Sequence, residues 1–209
     1  MEIPTLARCA TIACLVAGAS TAVLAQADGK SCAAILLHAK SSSAQSLSAL
    51  ARRIQPACAG RAVEMPWSSR RAADKQGGDA LQEIAAQAKA LRFQGYKRIV
   101  VVGHGLGANA ALAYAAKGDV DAVVALGGDS AATPASFAAL PALTPQIAQH
   151  VPVLWLVGAN DPLRERGEDY AFLKAPPHPA NKFLVLKPDL GQSPDAAAAP
   201  IQEWLKALD

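Results

Sequence analysis

The chain has 209 residues, of which 52% are hydrophobic and 18% charged: a length that fits one domain and a composition that excludes intrinsic disorder. Its net charge is +3 and it contains no long Lys/Arg run, which excludes a dedicated nucleic-acid binder. Aromatic residues are only 5%, so the core must be built from alanine, valine and leucine.

Residues 1–8 carry one Arg and one Glu, an apolar run from Cys9 to Ala25 follows, and Gln26-Ala27-Asp28-Gly29-Lys30 is polar. This order predicts a secretory signal peptide over 1–27, cleaved after Ala25 or Ala27, and a single domain over 28–209. The alternative is a membrane anchor, but the apolar run is shorter than the ~20 residues a spanning helix needs. Glu2 and Arg8 cancel, so cleavage leaves the charge unchanged. The expectation is a periplasmic or secreted protein with no membrane contact after cleavage. In such an oxidising compartment Cys32 and Cys58, the cysteines outside the leader, are expected to pair. The bond would close a loop of about 27 residues and contribute ~3 kcal/mol in the chain-entropy view. Two buried free thiols are the alternative. Two lone cysteines without a neighbouring His or Cys do not make a metal site.

Apolar runs of strand length then alternate with helical patterns. Ala33–His38 reads as a buried strand. Leu47, Leu50, Ala51 and Ile54 recur at helical spacing. Arg61–Met65 is a short strand ended by Pro66. Leu81, Ile84, Ala85, Ala88 and Leu91 mark a second helix, with Asp79 near its N-terminus. Arg98–Val102 is a continuous apolar strand, Gly107–Lys117 an Ala-rich helix ended by Gly118, and Asp121–Leu126 the next strand. Pro134–His150 is irregular. Pro152–Val157 is the fifth strand, Glu165–Lys174 a helix and Lys182–Leu186 the sixth strand. Ile201, Trp204, Leu205 and Leu208 give a closing amphipathic helix. Six strands alternating with helices predict an α/β fold, a mostly parallel sheet covered on both faces. Ligands in such folds bind at the carboxyl ends of the strands.

The sequence Val102-Gly103-His104-Gly105-Leu106-Gly107-Ala108 stands between a strand and a helix of small residues. That is the setting of a nucleophile elbow, Gly-x-Ser-x-Gly. The outer glycines allow a tight turn, the middle residue is held at a strained angle, and the helix N-terminus favours developing negative charge. Here the middle residue is Gly105, which has no side chain to attack with. The dinucleotide Gly-x-Gly-x-x-Gly spacing is absent, so no nucleotide cofactor is implied.

These residues resemble the elbow of the α/β-hydrolase superfamily at every position but the serine. Val151–Leu163 resembles the acid-bearing strand and loop of that family, with Asp161 in the acid position. Leu36-Leu37-His38 is similar to the strand that leads into its oxyanion loop, where the family has His-Gly and this chain has His38-Ala39. The resemblance implies a small, lidless member of that superfamily. It implies a base histidine after the last strand, but Leu186–Pro194 contains none, and Asp189 stands near the expected place. A Ser→Gly knockout would explain Gly105 but not the missing histidine, so inherited degeneration is the better account. The implied pocket residues are His38, Ala39, His104, Leu106 and Trp67.

Other candidates are weaker. Ser41-Ser42-Ser43 suits a cap for the first helix better than a pocket lining. Ser130, beside Asp129, is a poor second nucleophile. Arg70 and Arg71 could meet an acidic ligand, and His178, in a Pro-rich loop, could be a displaced base. The expectation is a catalytically degenerate hydrolase-fold protein that binds a small ester or carbonyl ligand, or a protein partner, without metal or cofactor. The alternative is an active esterase or acyl hydrolase that combines Asp161 with His178 or His104.

Overall fold

The computed structural model describes residues 31–71, 77–128, 140–187, 190 and 193–208, with side chains undescribed at 77–79. The predicted signal peptide, Asp129, Ser130 and Asp189 lie outside the described residues. Six strands form one sheet among them: β1 (Cys32–Leu37), β2 (Ala59–Val63), β3 (Arg98–His104), β4 (Ala122–Leu126), β5 (Val153–Gly158) and β6 (Lys182–Leu186). Their order is β2-β1-β3-β4-β5-β6 and every pairing is parallel. The helices are α1 (Ser48–Ile54), α2 (Gly77–Phe93), α3 (Leu106–Ala115), the single turn α4 (Leu140–Leu143) and α5 (Ala198–Lys206).

Strand alternation divides the core into two layers. Ala33, Ile35 and Leu37 of β1 pack with residues of α2 and α3 on one face. Ala34 and Leu36 pack with Leu50 and Ile54 of α1 and with Ile201 and Trp204 of α5 on the other. The inner strands β1, β4 and β5 are buried along their whole length, whereas β2 and β6, at the edges, are half-buried. This explains the near-continuous apolar runs of the inner strands. No helix among the described residues is long and apolar enough to cross a membrane.

Strand order reverses at β1. The chain steps from β1 outward to β2, then crosses back over β1 to β3 and continues in the opposite direction. The carboxyl ends of β1 and β3 therefore flank a crevice, the usual place for a ligand in an open parallel sheet.

Two elements differ from the sequence expectation. Strand β2 begins and ends two residues earlier than predicted, because Glu64 and Met65 leave the ladder to bond with the loop after β1. The stretch expected to be helical over 165–174 is a series of turns leading into a wide π-type turn, Asp169–Lys174, in which the Ala175 N–H reaches the Tyr170 carbonyl. That turn buries Tyr170 and Ala171 and leaves Phe172 and Leu173 exposed. Gly167, just before it, lies against the Phe183 ring with no room for a Cβ.

Cys32 and Cys58 form the expected disulfide, with their Cα atoms 4.6 Å apart. It joins the start of β1 to the residue before β2, so it ties the edge strand to its neighbour in the sheet. Replacing both cysteines by alanine is expected to lower the unfolding free energy by about 3 kcal/mol, read from the urea midpoint. An unchanged midpoint would show that the α1 crossover holds β2 without the bond.

Candidate functional site

The crevice is built on three glycines. A Cβ on Gly103 would run into the Gly107 carbonyl and come within 2.5 Å of the Ala108 Cα. A Cβ on Gly107 would run into the Leu37 carbonyl oxygen and lie 2.9 Å from that of His38. These two positions must lack side chains for α3 to rest its first turn on the ends of β1 and β3. Gly105 differs. Its φ of 56° and ψ of −119° form the sharp strand-to-helix turn, and its N–H donates to the Leu126 carbonyl at 3.0 Å. Among the described residues a Cβ there would meet only Ala39, at 3.2 Å from its methyl carbon. Backbone strain favours glycine at 105, and packing opposes a Cβ there only through the single close contact with Ala39, far less than at Gly103 and Gly107.

Helix α3 begins at Leu106 with no side-chain cap. Leu106 is buried, while His104, Gly105 and Ala39 are half-buried. The loop after β1 lies against the elbow through Ala39, and the loop after β2 is bonded to it at His38. His38 has no exposed surface, so its ring is a strut beneath the crevice and not a pocket wall. Its Nε2 accepts the Met65 N–H at 3.1 Å, which leaves the proton on Nδ1 to be donated to the Ala39 carbonyl at 2.8 Å. The ring is thus held neutral in one tautomer. Burial lowers its pKa below the ordinary histidine value, against weaker upward pulls from the Ala39 carbonyl and the Glu64 carboxylate. Trp67 stands edge-on to the ring, with centroids 5.9 Å apart, and its Nε1–H donates to the His38 carbonyl at 2.9 Å.

Glu64 is a residue that the sequence patterns do not single out. Its Oε2 accepts the Ala44 N–H at 3.3 Å, its Oε1 accepts the Ser68 hydroxyl, and Oε1 lies 3.6 Å from His38 Nε2. Ser43 occupies the N-cap position of the helical segment but makes no side-chain cap, so the expected serine cap is replaced by the Glu64 carboxylate. Arg71 does not await an acidic ligand either. It pairs with Glu83 at 2.8 Å and donates to the Glu64 carbonyl. A carboxylate one residue past a strand end carries no periodic signal, which is why it escapes pattern reading.

Asp161 follows β5. Its Oδ1 accepts the Leu163 N–H at 2.8 Å, and its Oδ2 leans toward Gly127 at the end of β4. Gly105 follows β3 and Asp161 follows β5, the two neighbours of β4. In a triad a histidine stands between these two positions. The chain has four histidines. His150 bonds to the Gly118 carbonyl ahead of β5, and His178 accepts the Ala180 N–H just ahead of β6. Both lie at the amino end of the sheet, with a strand's length between His178 and the crevice, so His178 is not a displaced base. The remaining two are His38, locked as described, and His104. Among the described residues no group of three or more His, Cys, Asp or Glu side chains is placed to hold a metal.

A profile of the dienelactone hydrolase family matches residues 39–174, more than half the chain. The chain belongs to the dienelactone hydrolase family. The match includes the elbow and Asp161 and stops before β6. Among solved structures, dienelactone hydrolase from Anabaena variabilis ATCC 29413 superposes with a TM-score of 0.66 at 22% identity, over 86% of this chain and 88% of that one. Est1E from Butyrivibrio proteoclasticus, solved with ferulic acid, gives 0.66 at 12% identity, covering 87% and 91%. The Pyrococcus furiosus esterase Pf2001 gives 0.66 at 16% identity, covering 86% and 82%. At these identities the likeness is one of fold, and it is the α/β-hydrolase fold. No curated protein matches the sequence.

Two outcomes follow for this dienelactone hydrolase-family site. Gly103→Ala or Gly107→Ala should cost more than about 4 kcal/mol or prevent folding, whereas Gly105→Ala should cost only about 1–2 kcal/mol. Denaturant unfolding checks the order, and equal losses at all three would remove the distinction between packing and strain. At pH 7.5 His38 should be neutral with its proton on Nδ1, read from long-range 15N NMR, and it should take up a proton at lower pH than an ordinary histidine. Because its folded pKa is lowered, the unfolded chain takes up the proton first. Its contribution to stability should therefore fall as pH drops below the ordinary histidine value of about 6.5 toward the folded pKa. That fall should be smaller in His38→Gln.

Proposed function

We propose that this member of the dienelactone hydrolase family is an exported protein that has given up hydrolysis and retains its crevice for binding. The observation that carries the proposal is Gly105 at the turn of the elbow, where a side chain would be needed to attack, together with a loop after β6, Leu186–Pro194, whose sequence contains no histidine. A triad works as a unit, and losing one member already costs several orders of magnitude in rate. Here both the nucleophile and the base are missing by sequence. The ligand class we assign is a small ester, lactone or related carbonyl compound. The family name and the esterase neighbours support that class, and so does the uncapped N-terminus of α3 behind Gly105, which favours a polarised oxygen. A protein partner at the same crevice is the second role. The Cys32–Cys58 disulfide supports an oxidising compartment, and the apolar leader in the sequence supports export.

The purified protein, freed of its leader, should show no fluorophosphonate labelling and no turnover of p-nitrophenyl acetate above buffer. A panel of small lactones and aryl esters should raise its melting temperature in a dose-dependent way. Stoichiometric labelling of any serine would overturn the proposal. A rise in melting temperature with no lactone or ester would leave the protein-contact role.

A further inference from the structure

We infer that Ala39 is the second determinant of the elbow: its methyl group stands in the space that a side chain at position 105 needs, so residues 39 and 105 act as one coupled pair. The inference rests on the reading of residue 105 as the emptied nucleophile position. A Cβ built on Gly105 lies 3.2 Å from the Ala39 Cβ and 3.7 Å from its Cα, and within 4 Å it meets nothing else among the described residues outside its own chain neighbours. Ala39 is therefore what separates this turn from one that could carry a side chain without crowding. A contact this close requires the neighbour to move by a few tenths of an ångström. Ala39 is poorly placed to do so. A methyl group has no rotamer by which to withdraw, so only the backbone can move. That backbone is held by the His38 Nδ1–H and the Ser42 N–H, both donated to the Ala39 carbonyl, and by the Trp67 N–H on the preceding carbonyl. Residue 39 is thus a positioning residue that sets access to position 105, while the end of α3 sets the charge environment there.

A thiol reports on both effects without needing a base. With Cys32 and Cys58 bonded and the leader removed, Gly105→Cys places one free thiol in the protein. The experiment compares Gly105→Cys, Ala39→Gly and the double variant, by iodoacetamide alkylation rate from pH 5 to 9 and by melting temperature. The plateau rate should rise at least tenfold when Ala39→Gly is added to Gly105→Cys, and part of the melting-temperature loss of Gly105→Cys should be recovered. The pH of half-maximal rate should stay the same in both, because the helix end and not residue 39 sets thiol acidity. Folding of the double variant alone, with Gly105→Cys insoluble, also supports the coupling. Plateau rates within twofold and additive melting temperatures would overturn it, as would a double variant that fails to fold. Serine labelling of the wild-type protein would instead overturn the parent reading, so the two failures are distinguishable.

Discussion

The contact between the first turn of α3 and the ends of β1 and β3 governs the rest of this molecule. It exists because Gly103 and Gly107 present bare backbone to one another and to the Leu37 carbonyl. Bringing helix and sheet this close lets the alanines of α3 fill the layer above β3 and β4 with little bulk, and Ala108, Ala110, Ala111 and Ala115 are all fully buried. It also forces the chain through the positive-φ turn at Gly105. The requirements of packing and of chemistry are thereby separated onto different residues. The flanking glycines serve the fold, and the middle one serves whatever the crevice does. A chain can abandon the second requirement while keeping the first intact.

The loops after β1 and β2 form a second unit, organised by polar groups in place of apolar area. His38, Glu64 and Trp67 link the two loops through three contacts to backbone, at Met65 N–H, Ala44 N–H and the His38 carbonyl, and the bonds of His38 to the Ala39 carbonyl and of Arg71 to the Glu64 carbonyl stiffen each loop separately. A buried imidazole is costly if charged and is acceptable when neutral with both nitrogens bonded. His38 meets that condition, so it suits a rigid brace and is poorly suited to shuttling protons. The histidine that resembles a site residue by position is thus a structural one by its bonding.

Much of the architecture was legible in the sequence. The six strands stood out because a sheet buried on both faces requires unbroken apolar runs, as in Val153–Val157 and Ile99–Val102. The elbow was legible because three glycines at alternate positions between a strand and a helix have few other uses. What escaped was whatever depends on side chains that meet across loops. Glu64 capping the turn at Ala44 is twenty residues away in sequence, and the π-type turn at Asp169–Lys174 differs from an α-helix by one hydrogen-bond step. The contact between Ala39 and position 105 joins two residues that each look like a simple loss of family pattern, and only coordinates bring them together.

The β1–β2 pair has a further property that comes from where its links sit. The disulfide clasps the two strands at the amino end of the sheet, and the His38 Nε2 bond to Met65 clasps them at the carboxyl end. A strand at the rim of a sheet ordinarily peels or shifts register most easily, because it is bonded along one side only. Fastened at both extremities, this rim is held as a fixed frame, whereas the opposite rim at β6 is tied to β5 at its amino end, where the Val153 N–H donates to Asn181 Oδ1 at 3.0 Å. The wall of the crevice formed by the loops after β1 and β2 is therefore pinned from both ends of its supporting strand pair.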